Sequence, residues 1–167
     1  MGFVTHQVTL LSPVLGAAGI SATVAATAIT ALGSRLMLAR FADQISARLT
    51  ASVMLLIAAA SLAMQALVPG PVVLVAGSVL MGLTIGNITT LSPIIVRREF
   101  GAASFGAVYG IASCIIQLAT GLGPSFYGLL HDVFGGYRVP LLLAAAVDLI
   151  AAVIVMTGGG KSARPLP

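Results

Sequence analysis

Five stretches of the chain, residues 20–41, 50–68, 72–95, 104–130 and 139–157, are predominantly apolar over a length that matters physically. A bilayer core about 30 Å thick takes roughly 20 apolar residues to cross as helix, and each stretch meets that requirement. The sequence therefore predicts an all-α integral membrane fold with five complete transmembrane helices. Composition agrees, with 59% hydrophobic and only 7% charged residues and a mean hydropathy of +1.12, far from the balance of a soluble domain.

The net charge of +4 does not signal nucleic acid, because aromatic residues make up 5% of the chain and Trp is absent. Cys114 is the single cysteine, which excludes an intrachain disulfide and any Cys/His metal spacing. No metal or other cofactor is expected. Charge instead tracks topology. If the tail "KSARPLP" is cytoplasmic, that side collects Arg40, Arg48, Arg97, Arg98, Lys161 and Arg164, against Arg138 alone on the other. The first complete helix then runs inward, and the protein is expected in the cell (inner) membrane as a multi-pass chain with a cytoplasmic C-terminus. The expected organisation is one membrane domain over residues 1–167, with 158–167 as a tail. Residues 1–15 reach only about 22 Å as helix and read as the outer part of a helix whose beginning is missing.

Small and polar residues divide the spans. Residues 50–68 and 139–157 contain no Gly and read as peripheral, whereas "GLTIG" and "GAVYG" have the small-xxx-small spacing that lets helices approach closely. Polar side chains recur on one face of three spans: Thr23, Thr27, Thr30 and Ser34; Thr84, Asn87 and Thr90; Tyr109, Ser113, Gln117 and Thr120. Such stripes suit a water-filled path. The competing reading is that the hydroxyls bond back to their own helices or join neighbours.

Arg35 is the outstanding charge. It lies about 9 Å of helix short of the inner end of its span, beside Ser34. A cation at that depth costs roughly 2.5–3.5 kcal/mol on insertion scales and marks a substrate or ion path, unless its long side chain snorkels to the interface.

The surrounding stretch "RLMLARFADQISAR" resembles the loop motif G-x-x-x-D-R-x-G-R-R of the major facilitator superfamily, in the copy found in the C-terminal half. Asp43 and Arg48 are retained, whereas Ala39, Gln44, Ser46 and Ala47 depart from it. Further on, "EFGAASFGAVYGIASCIIQLATGLGPSFYGLLHDVFGGYR" is similar to the eleventh helix and following loop of the monocarboxylate and oxalate–formate branch. The resemblance covers residues 20–157 and implies the C-terminal six-helix half of a secondary carrier working by alternating access.

In that branch an arginine two turns before the loop aspartate pairs with the substrate carboxylate, and Arg35 stands there. Its guanidinium stays charged and forks onto a carboxylate. The resemblance implies a substrate site made of Arg35 with Thr27, Thr30, Asn87, Ser113 and Gln117. Oxalate carriers add a cation on the eleventh helix; Ser113 and Gln117 are neutral, which favours a monocarboxylate or a less charged organic anion. Asp43 corresponds to the aspartate that locks the inner gate, with Arg48, Arg97 and Arg98 as its cationic surroundings.

Asp148 sits mid-span in "VPLLLAAAVDLIAAVIVMT" without a polar companion on its own helix. Desolvation favours a neutral acid there, so Asp148 is a candidate for proton coupling or a structural acid bonded to a neighbouring helix. His6 and His131 read as interfacial. The sequence carries no nucleophile–base pair and no phosphate-binding loop, so no enzyme is expected. The expected partners are the lipid bilayer, a small organic anion with or without H+, and either a missing N-terminal half or a second copy. The alternative function is a non-transporting membrane component or truncated product that associates with a partner.

Overall fold

The computed structural model describes residues 2–41, 44–68 and 70–158, and these form five helices without a strand. In chain order they are α1 (Gly2–Leu11), α2 (Ala17–Phe41), α3 (Ala47–Leu67), α4 (Pro71–Phe134) and α5 (Arg138–Thr157). Helix α4 is two spans joined at Gly101, where φ is 72° and ψ is 172°. That backbone region is essentially open to glycine alone. The break separates a first arm, residues 71–100, from a returning arm, residues 102–134, so that Met81 and Tyr127 meet in one core cluster. Five spans result, at the positions read from the sequence, and α1 is too short to cross.

Local chemistry sets the ends. Pro71 opens α4 behind Gly70, where its missing N–H is no loss. Ser46 caps α3, its hydroxyl accepting from Leu49 N at 3.4 Å. Gly135 closes the returning arm in the left-handed conformation, φ 68°, its N–H bonded to the carbonyl of His131.

Helix packing in lipid relies on close van der Waals contact and interhelical hydrogen bonds. The "GLTIG" pair supplies the first. A Cβ on Gly82 would collide with the Thr27 carbonyl oxygen, and one on Gly86 with that of Ala31, so α2 lies directly on the first arm of α4. The similar "GAVYG" pair does nothing of the kind: Gly106 and Gly110 face open space within this chain.

The expectation that α3 is peripheral is corrected. Although it lacks Gly, it buries Ala47, Ala51, Ala58, Ala59 and Ala66, because alanine is small enough to serve the same end. Its buried hydroxyls and amide then bond across the seams. Ser52 donates to Ala152 O on α5 at 3.1 Å, Ser61 to Gly77 O on α4 at 2.8 Å, and Gln65 to Ser61 O at 3.2 Å. Helix α5 keeps the expected outward character, exposing Val147, Ile150 and Val153.

Arg48 joins three elements at the inner end. It pairs with Glu99 at the end of the first arm, and donates to Val155 O at 2.8 Å and Gly158 O at 3.3 Å at the end of α5. A cation beside unpaired terminal carbonyls suits the helix dipole.

Two outcomes follow from this packing. Gly82→Ala and Gly86→Ala each lose about 1–3 kcal/mol through overpacking, read as a lower melting temperature of the detergent-solubilised chain, whereas Gly106→Ala and Gly110→Ala are neutral or mildly stabilising. Arg48→Ala loses about 1–3 kcal/mol by orphaning the α5 carbonyls, and Glu99→Gln, which removes only a part-exposed ion pair, loses less than about 1 kcal/mol in the same measurement.

Candidate functional site

Because Gly86 lets α2 press against α4, the Arg35 side chain reaches across to the first arm. Its Nε donates to Gly86 O at 3.3 Å and its Nη2 to Thr89 Oγ1 at 3.0 Å. Thr89 spends its own hydrogen on Ile85 O (3.2 Å) or Gly86 O (3.3 Å), leaving its oxygen free to accept. Nε and Nη2 form the side edge of the guanidinium. The opposite edge, Nη1 with the second Nη2 hydrogen, has no hydrogen bond to a described residue, and Arg35 is exposed. A planar cation is thus fixed by one edge and offers the other as a two-pronged donor for a carboxylate.

The other sequence-predicted contacts are dispersed. Thr27 is buried, donating to Thr23 O at 2.8 Å and accepting from Gln7 of α1 at 3.1 Å, so it serves helix packing. Half-buried Thr30 bonds back to Ala26 O at 2.8 Å. Asn87 turns towards α3, its amide donating to Leu83 O at 3.0 Å and to Met54 Sδ at 3.6 Å, with Oδ1 buried and unpartnered. It lines a separate hollow of about 210 Å³ with Ser34 and Met54. Ser113 is half-buried and Gln117 exposed on the returning arm, and neither makes a hydrogen bond to a described residue.

Of the expected gate residues, Asp43 lies outside the described residues. Arg48 holds the inner end together within the bundle, as above. Arg98 donates to Ile45 O at 3.2 Å in the α2–α3 connection. Arg97 lines a hollow of about 290 Å³ at the Gly101 bend with Pro93 and Phe105. Among the described residues no group of three His, Cys, Asp or Glu side chains is placed to share a metal ion, and Cys114 is a free, exposed thiol.

Asp148 does not face lipid. It lines a cavity of about 290 Å³ between α1, α3, α5 and both arms of α4, together with Thr84, Thr89, Thr120 and Tyr127. It makes no hydrogen bond to a described residue. Thr89 was missed in the sequence because it falls off the Thr84–Asn87–Thr90 stripe, and only its polarity in an apolar span hints at it.

At the opposite end of the bundle, His6 sits between helices. Its Nε2 donates to Pro124 O at 3.1 Å, which leaves the neutral ring's Nδ1 to accept from the Tyr137 hydroxyl at 3.1 Å. It stacks on Tyr127 with ring centroids 5.9 Å apart, and His131 lies 4.5 Å from the Tyr137 ring. The histidines therefore join α1 to the returning arm and the turn into α5.

No curated protein matches the chain. The sequence pattern of the Major Facilitator Superfamily matches residues 4–165, nearly the whole of it, and the architecture of apolar helices agrees. The chain is thus a multi-pass membrane protein of transporter rather than enzyme type, and it belongs to the Major Facilitator Superfamily.

Proposed function

We propose that this chain supplies one half of a secondary carrier for small organic anions, monocarboxylates foremost, and that Arg35 is the carboxylate contact. The observation that carries the reading is the free edge of the guanidinium. Gly86 O and Thr89 Oγ1 hold the other edge, so the fork is oriented before any anion arrives, which lowers the ordering cost of binding. The likeness to the monocarboxylate and oxalate–formate branch supports the same substrate class. Neutral Ser113 and Gln117 on the returning arm favour a single carboxylate over a dianion.

In this reading the exposed sides of α2 and of the returning arm, bearing Arg35 and Gln117, meet a second half-bundle, either an N-terminal half or a second copy. The two halves rock around a site near the midplane. Exposure of Arg35 to hydrocarbon is costly enough to favour that association. Asp43, Arg97 and Arg98 at the inner end are the proposed gate, and the protein resides in the cell (inner) membrane with its C-terminus cytoplasmic.

The test is uptake of radiolabelled lactate by proteoliposomes of the assembled carrier at matched protein levels. Arg35→Lys, which keeps charge but not the fork, lowers kcat/KM about tenfold or more, and Arg35→Ala abolishes saturable uptake; unchanged kinetics in both variants would remove Arg35 from the site. Reconstituted without a partner half, the 167-residue chain inserts and self-associates, seen as dimers or larger species by cross-linking, and does not catalyse uptake. Saturable, Arg35-dependent uptake by the monomeric chain would contradict the half-carrier reading.

A further inference from the structure

The cavity around Asp148 and the Arg35 contact share one residue. Thr89 lines the cavity and also accepts from Arg35 Nη2 at 3.0 Å. It stands three residues after Gly86 and four after Ile85, where the face of α4 towards α2 meets the face towards the cavity. The helix thus carries an exposed cation on one side and an unpaired carboxyl on the other, joined by a hydroxyl.

The hydrogen-bond inventory of the cavity decides which form of the acid it suits. Thr84 donates to Met81 O at 2.9 Å, and Thr89 to Ile85 O or Gly86 O, so both hydroxyl oxygens are acceptors towards the cavity. A protonated carboxyl can donate to such oxygens. The ionised form has the Tyr127 hydroxyl as a donor, and that hydroxyl is buried without a partner on a side chain only 8% exposed. Other charge is sparse. Tyr127 is the other titratable side chain lining the cavity; α3 contributes Leu55, Ala58 and Leu62, the first arm contributes threonines and apolar groups, and α1 contributes Gly2 and Phe3. The chain's amino terminus also acts electrostatically on Asp148. An ionisable group inside a membrane span, lodged in a cavity with both donor and acceptor partners, has the features of an ion path.

We propose that Asp148 is a proton-binding site that communicates with the Arg35 guanidinium through Thr89, so that proton and anion occupancy favour one another. The proton comes from water and neutralises the carboxylate, removing a negative charge from the same side of the site that an anion enters. An anion that draws the Arg35 fork away from α4 frees the Thr89 oxygen to accept from the protonated acid. By linkage, each ligand then strengthens the other by the same factor. The anion part of this inference rests on the proposed role of Arg35; the proton site and its link to Arg35 do not.

The experiment is an infrared pH titration of the purified full chain in lipid, following the carbonyl band of protonated carboxyl groups. A titrating band is expected that disappears in Asp148→Asn and returns in Asp148→Glu. Its midpoint shifts by about one pH unit in Arg35→Gln and by a smaller amount in Thr89→Val, in line with coupling of about 5- to 150-fold between linked sites. Absence of the band in the wild type, its persistence in Asp148→Asn, or a midpoint indifferent to both Arg35→Gln and Thr89→Val overturns the proposal. A midpoint that follows sodium concentration overturns it in favour of a metal cation. Adding lactate labelled with heavy carbon in its carboxyl group, so that its own band lies apart, moves the midpoint in the wild type and not in Arg35→Gln. If lactate moves nothing while the Arg35→Gln shift persists, the anion reading of Arg35 fails and the proton site stands.

Discussion

The contact on which the rest of this half-bundle depends is the approach of α2 to the first arm of α4 at Gly82 and Gly86. Without side chains at those two positions, the carbonyls of Thr27 and Ala31 lie directly against the α4 backbone. In lipid, where burying apolar surface against more apolar surface gains little, backbone proximity is a main source of helix adhesion. The same contact brings the Arg35 stem near enough for Nε to reach Gly86 O. Packing and site are therefore one feature, since the glycine that admits α2 also presents its carbonyl to the guanidinium.

The fold was largely legible because the bilayer imposes a length rule on apolar runs. All five spans appear where that rule puts them, and Gly101 supplies the break expected near "VRREFG". Helix neighbours were less legible. The small-xxx-small spacing is identical at Gly82/Gly86 and Gly106/Gly110, yet only the first pair meets another helix in this chain. Spacing specifies that a helix can be approached, and the approaching partner is decided by the tertiary arrangement. Likewise, absence of Gly in α3 suggested a peripheral helix, but alanines perform the same steric function.

The site was legible at Arg35 and less so around it. A cation in an apolar span is rare enough to be conspicuous from sequence. Its protein partners are a main-chain carbonyl, which has no sequence signature, and Thr89, which lies off the stripe marked by Thr84, Asn87 and Thr90. Period alone grouped Thr27 and Asn87 with Arg35. The structure commits Thr27 to Gln7 of α1 and Asn87 to Met54 of α3, because hydroxyl and amide groups are also the means by which helices adhere.

The two ends of the bundle are held differently, and the difference bears on which end can move. At the inner end Arg48 holds α3, α4 and α5 by charge-assisted contacts on part-exposed groups. Such contacts weaken with hydration and screening. At the other end the His6 ring lies between Pro124 and Tyr137 through two neutral hydrogen bonds and stacks on the buried Tyr127. Stacking adds a packing contribution that water does not screen. Rocking of a carrier half requires its helices to move as a body, and the Arg48 and His6 junctions between them tie α1, α3, α5 and both arms of α4 into one. Helix α2 is joined to that body chiefly along the Gly82–Gly86 seam and through Gln7–Thr27. Displacement of α2 along this seam is the motion that would change the Arg35–Thr89 contact, so the element carrying the anion contact is also the one with the fewest polar ties to the rest.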